Sequence, residues 1–144
     1  MCMQVLIADD QPRARRSLNA LLTAMRWSTP SHAGQPTPAG FFPVEVVGEA
    51  EDGPQTVKQV LALQPDVVVM DLQLHTLFAP EPRLDGMATI LMLKSGWPAI
   101  RIVVLTMYAT DRASVLAAGA DAFLLKGCPT RELLDAVMPR LADR

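Results

Sequence analysis

One stretch constrains this chain more than any other: Asp66-Val67-Val68-Val69-Met70-Asp71. An unbroken apolar run ends there on a carboxylate. Such a run reads as a buried central strand, covered on both faces. Asp71 then stands at the carboxyl end of that strand. In an open α/β sheet, ligands and chemistry gather along that edge.

The same form recurs along the chain. Val5-Leu6-Ile7-Ala8 is another continuous apolar run, closed by Asp9 and Asp10. From Pro12 to Met25 the period becomes helical, with Ala14, Leu18, Leu21, Leu22 and Met25 on one face and Pro12 suited to a first turn. Arg13, Arg15 and Arg16 lie in that first turn, where the helix dipole disfavours cations. A solvated basic face is the simpler reading; the functional one is that they offset the nearby carboxylates or help a partner dock. Val44, Val46 and Val47 alternate loosely, as suits an edge strand. Gly53 to Leu63 predicts a helix with Val57, Val60 and Leu61 facing in. Met87, Ile90, Leu91 and Leu93 give the next helix an inner face, and Trp97-Pro98 ends it. Ile102-Val103-Val104-Leu105 is a third apolar strand, ending on Thr106. Asp111 to Ala118 predicts a short helix closed by Gly119. Ala122-Phe123-Leu124-Leu125 is a last strand, ending on Lys126, and Thr130 is placed to cap a final helix through Val137. Strand and helix thus alternate, which predicts a doubly wound parallel sheet with right-handed crossovers.

A chain of 144 residues fits one domain. The predicted domain covers residues 1–139, with an irregular loop at about 28–42, a second long loop after Asp71, and residues 140–144 as a tail or the start of a linker. His32 is alone in the first loop and is not read as a ligand. A net charge of −2 leaves no electrostatic footprint for DNA or anionic lipid. Two cysteines, Cys2 and Cys128, make neither a disulfide framework nor a zinc set, so a reducing cytoplasm is the expected compartment. No stretch has the length of a membrane span, and the N-terminal apolar run lacks the marks of a signal peptide.

The strand ends carry the chemistry. They supply Asp9 and Asp10, then Asp71, Thr106 and Lys126, all on one edge of a parallel sheet. Clustered carboxylates raise one another's pKa values unless a cation joins them. Lys126 neutralises only part of that charge, and a hard divalent cation with oxygen ligands, Mg²⁺ or Mn²⁺, would relieve the rest. A carboxylate can attack phosphorus to give an acyl phosphate. Metal, ammonium and hydroxyl would then each meet one oxygen of the transferring group. Each acid taken singly is explained as well by capping the turn that follows it; the set as a whole is not.

These residues resemble the receiver domain of two-component response regulators. The matching pieces are Val5 to Asp10, Asp66 to Leu72, Asp85-Gly86, Val103 to Thr106, and Ala118 to Lys126. The wording of the last two is most similar to receivers that carry a helix-turn-helix DNA-binding domain. The resemblance implies a flavodoxin-like five-stranded sheet in the order 2-1-3-4-5, with helices on both faces. It implies that a histidine kinase or phosphotransfer protein phosphorylates Asp71. It implies Mg²⁺ held by Asp9 or Asp10, Asp71 and the backbone carbonyl of Gln73. Lys126 would pair with the phosphoryl group, and Thr106 and Phe123 would form the switch pair. Gln73 and Tyr108 would border the path of the attacking water, and the bulk of Tyr108 predicts a moderately long-lived phosphoryl group. The family pattern leaves room for a homodimer and implies no turnover of an external substrate. It implies no membrane contact and no nucleic-acid binding by this segment, although a C-terminal output domain beyond it could bind DNA.

The chain departs from the family pattern in places. Gly86 follows Asp71 by 15 positions, about twice the usual spacing, so the loop is read as carrying an insertion at about 74–83. His75 and Gly127 stand where prolines are usual. The alternative that keeps the fold is a pseudo-receiver, a phosphorylation-independent interaction module. A haloacid-dehalogenase-type phosphohydrolase is disfavoured because Gln73 stands where its second acid is required.

Overall fold

The computed structural model describes residues 3–25, 44–73, 86–109 and 112–138. The expected loops at 28–42 and 74–83, the tail at 140–144, and Cys2, His32, His75 and Asp111 lie outside the described residues. Among the described residues ten elements alternate: β1 Met3–Ala8, α1 Pro12–Met25, β2 Val44–Ala50, α2 Gly53–Leu63, β3 Val67–Met70, α3 Gly86–Gly96, β4 Arg101–Thr106, α4 Arg112–Ala117, β5 Ala122–Leu125 and α5 Thr130–Val137. The strands form one parallel sheet in the order β2-β1-β3-β4-β5, the flavodoxin-like arrangement. The stretch Val67–Met70 is therefore the central strand, paired with β1 (Val5 to Val67, Ala8 to Met70) and with β4 (Val67 to Arg101, Met70 to Val104).

Strand geometry points successive side chains to opposite faces, and both faces are covered. Val67 and Val69 pack with Val5, Ile7, Leu22, Val103, Leu133 and Val137, under α1 and α5. Val68 and Met70 pack with Leu6, Val60, Ile90, Leu93, Ile102, Val104 and Val115, under α2, α3 and α4. All four residues of β3 are buried, which is why the run is apolar without alternation.

Three local expectations are corrected. Leu61 and Leu91 face out, 63% and 56% exposed. Each sits beside a fully buried neighbour, Val60 or Ile90, and one residue is a rotation of about 100° on a helix. The inner faces instead use Thr56 and Thr89. Thr56 can be buried because its hydroxyl donates to the carbonyl of Asp52 at 2.6 Å, while the Asp52 carboxylate caps α2 through the Gln55 amide. Thr130 does not cap α5: it begins the helix, and Pro129 occupies the cap position with no side-chain hydrogen bond. In β2 the alternation is loose because the register shifts: Val5 pairs Val46 but Leu6 pairs Gly48, leaving Val47 as an extra residue.

Candidate functional site

The sheet order reverses direction between β1 and β3, and open α/β sheets bind ligands at the crevice there. Asp9 follows β1 and Asp71 follows β3. The Asp71 amide donates to the carbonyl of Ala8 at 2.9 Å, which ties the two ends, and the Asp9 amide to that of Ala50 at 3.0 Å, which ties β1 to the end of β2. Both carboxylates are buried, yet both are satisfied. Asp9 Oδ1 accepts from the Gln11 amide at 2.9 Å and Asp71 Oδ1 from the Gln73 amide at 3.0 Å.

Lys126 joins them. Its Nζ lies 2.7 Å from Asp71 Oδ2 and 3.0 Å from Asp9 Oδ2. Its own amide donates to the carbonyl of Thr106 at 2.7 Å, which fixes the β5 end against β4. Burial alone would lower the pKa of the ammonium, but the bonds to Asp71 and Asp9 outweigh it and hold the pKa above its ordinary 10.5. Lys126 therefore stays charged at neutral pH. Its contribution to stability is complete below 10.5 and is lost only as pH rises through the higher folded value.

Asp10 completes the cluster: one oxygen from each of Asp9, Asp10 and Asp71 lies within 4.8 Å of the others. Asp9 and Asp71 share the one ammonium of Lys126, so that pairing alone leaves negative charge over. Hard oxygen donors of this kind fit Mg²⁺ rather than a soft metal. Thr106, at the end of β4, is 1% exposed. Phe123, paired with Val104 in the ladder, is turned into the core at 7% exposure, with the Arg112 guanidinium 5.9 Å from its ring centre. Tyr108 is 55% exposed and Gln73 is also exposed, so neither is consumed by core packing. Cys128 is half-buried; burial and then Glu132 push its thiol above the ordinary 9.0, so it is protonated and a poor nucleophile at neutral pH.

Two residues already noted in the sequence take on specific contacts here. Arg15, half-buried, donates from Nη1 to the carbonyl of Asp9 at 2.7 Å and pairs through Nε with Glu49 at 3.3 Å. The solvated-face reading suits Arg13 and Arg16, which are exposed, but not Arg15. Gly86 packs against the chain just past Asp71: a Cβ there would overlap the Leu72 carbonyl oxygen and lie 2.7 Å from its carbon.

The family model described as the response regulator receiver domain matches residues 43–138, two thirds of the chain. The chain belongs to the response regulator receiver family. The match starts just before β2, so β1 with its two acids lies outside it, and the sheet brings them back beside Asp71. As a curated relative, response regulator protein VraR of Staphylococcus aureus is 28% identical over 139 residues, covering 95% of this receiver and 56% of VraR. The receiver thus spans about half the length of the curated relatives it matches. RcsB of Salmonella typhimurium superposes with a TM-score of 0.71 at 26% identity, over 94% of this chain and 59% of RcsB. The isolated REC domain of RcsB, solved in the presence of the phosphomimetic BeF3⁻, gives 0.71 at 26% identity, over 94% and 85% of the two chains. A LuxR-family two-component response regulator from Aurantimonas sp. SI85-9A1 gives 0.72 at 25% identity, over 100% and 88%. Receivers bind Mg²⁺ at an acidic pocket, and Asp9, Asp10 and Asp71 form one here. No helix among the described residues is long and apolar enough to cross a membrane.

Proposed function

We propose that this receiver, as one domain over residues 1–139, takes a phosphoryl group onto Asp71 from the phosphohistidine of a kinase or phosphotransfer protein, in the cytoplasm. The observation that carries the reading is the bridge of Lys126 to both Asp71 and Asp9, with a third carboxylate in the same cluster. In the transfer, an Asp71 oxygen attacks phosphorus, the P–O bond forms, and the P–N bond to imidazole breaks. Asp9, Asp10, Asp71 and the Gln73 carbonyl would hold Mg²⁺, which when bound neutralises phosphoryl charge. Asp71 is held for attack through one oxygen, by the Gln73 amide, while the other faces Lys126. On phosphorylation Lys126 exchanges a carboxylate oxygen for a phosphoryl oxygen, and the Thr106 hydroxyl donates to another. Movement of Thr106 is read by Phe123, which lies on the neighbouring strand of the same ladder. The resulting change passes to an output, either sequence outside these residues or a separate protein. RcsB, a structural relative, has been solved bound to promoter rprA in the presence of phosphomimetic BeF3⁻, which supports DNA control as that output.

Acetyl phosphate with Mg²⁺ tests this by intact mass. The wild type is expected to gain one phosphoryl group and Asp71→Asn none. A wild type that stays unmodified, and is equally silent to beryllofluoride in Trp97 fluorescence, would mean a phosphorylation-independent interaction module instead. A second expectation concerns lifetime. Tyr108, two residues past Thr106, obstructs in-line water and Gln73 offers no base, so Tyr108→Ala should hydrolyse the phosphoryl group several-fold faster. Equal decay of the two proteins would remove Tyr108 from that role.

A further inference from the structure

The arginine-rich first turn of α1 is costly on its face, since cations there oppose the helix dipole. Arg13 and Arg16 meet that cost in solvent. Arg15 does not: it turns back across the turn it belongs to and is 16% exposed in its side chain. One arm of its planar fork donates to the backbone carbonyl of Asp9 at 2.7 Å. The other pairs with Glu49 on β2 at 3.3 Å. Glu49 is itself held from α1, where Asn19 Nδ2 donates to its second oxygen at 3.3 Å and Thr23 donates to Asn19 Oδ1 at 3.1 Å. A polar chain thus runs along the groove between α1 and β2 and ends on the turn that carries both acids.

We infer that Arg15, oriented by Glu49, is a positioning residue that sets the Asp9–Asp10 turn for metal binding. The inference rests on the phosphoacceptor reading for its purpose, and its geometry is independent of it. Through the Asp9 carbonyl, Arg15 grips the peptide between the two acids. The Asp9 carbonyl is tied to Arg15 and the Asp9 amide to Ala50, so the turn is held on both sides of Asp9. Two bonds at set directions need a guanidinium, because a lysine ammonium is a point charge on a flexible stem.

Charge and position make opposite predictions. A cation near three carboxylates repels a divalent ion, so on charge alone Arg15→Ala tightens Mg²⁺ binding, and Arg15→Lys leaves it unchanged. On position, both variants weaken it, by about tenfold as for other supporting residues around metal ligands. Glu49→Ala, which keeps Arg15 but removes the partner that orients it, should weaken it in the same way. The measurements are Mg²⁺ dissociation constants by calorimetry, and hydrogen exchange of the Gln11 amide, whose bond to Asp9 Oδ1 reports the turn directly. Exchange is measured without metal, beside melting temperatures in chelator. Weaker Mg²⁺ binding in all three variants, with faster Gln11 exchange, is the expected result. Tighter or unchanged binding in the Arg15 variants, or lower melting temperatures with unchanged affinity, overturns the inference. If the wild type itself binds no Mg²⁺, the phosphoacceptor reading falls, and unchanged Gln11 exchange would then overturn the positioning role by itself.

Discussion

Lys126→Ala should slow phosphoryl transfer to Asp71 by roughly two to three orders of magnitude, the usual cost of removing one preorganised charge donor. The same change should tighten Mg²⁺ binding. Both effects come from one geometry. The ammonium sits 2.7 Å from Asp71 and 3.0 Å from Asp9, so it occupies oxygens that a metal would share. Its removal takes from Asp9 and Asp71 the ammonium they share, and makes the acidic cluster a stronger magnet for a divalent ion. It also removes the donor that would meet the arriving phosphoryl oxygen. Without metal, the variant loses stability at neutral pH because Asp9 and Asp71 repel across a buried gap, and Mg²⁺ should restore it. A time course with acetyl phosphate, calorimetry with Mg²⁺ and melting with and without metal read the three effects. An unchanged transfer rate, or weaker Mg²⁺ binding, would remove Lys126 from its place in the site.

Gly86→Ala is expected to cost at least about 3 kcal/mol, the upper part of the range for overpacking, because the obstruction is backbone and not a movable side chain. The added methyl would overlap the Leu72 carbonyl. Relief requires α3 to move away from the β3 end, which opens the core around Ile90 and Leu93, or Leu72 to move, which displaces Asp71 next to it. For a domain of this size the melting temperature should fall by about 10 °C. Phosphoryl acceptance should fall with it in the fraction that remains folded. Melting close to that of wild type would show that the contact relaxes without strain. Gly48 offers a contrast, since a Cβ there meets the flexible end of Leu63, which can swing aside.

Much of this was legible beforehand, and the reasons are local. Continuous apolar runs such as Val67–Met70 have one good environment, a strand covered on both faces, and an acid at the end of such a run marks where the strand reaches the sheet edge. The bounds of α1, α2 and β5 follow from the same logic of period and punctuation. Helix faces were harder. In α3 the run from Met87 to Leu93 is apolar almost all round, so periodicity cannot choose between Ile90 and Leu91. Thr56 was missed because a hydroxyl counts as polar until its bond to the Asp52 carbonyl is seen, although a threonine four residues past a capping aspartate is a usable signal.

By itself, the sequence determined the parallel alternation, the buried strands and the polar residue closing each active-edge strand. Those properties depend on a few neighbouring residues and on solvent, so they are written into a short window. Tertiary structure decided which residues serve those ends. Arg15 and Glu49 are 34 positions apart, and only the pairing of β1 with β2 brings them together. Gly86 matters because α3 enters against Leu72, a close approach set by packing. Lys126 reaches Asp9 across 117 positions because parallel strands align all their carboxyl ends on one edge. Charge, period and punctuation are local quantities; the distance between two charges is not.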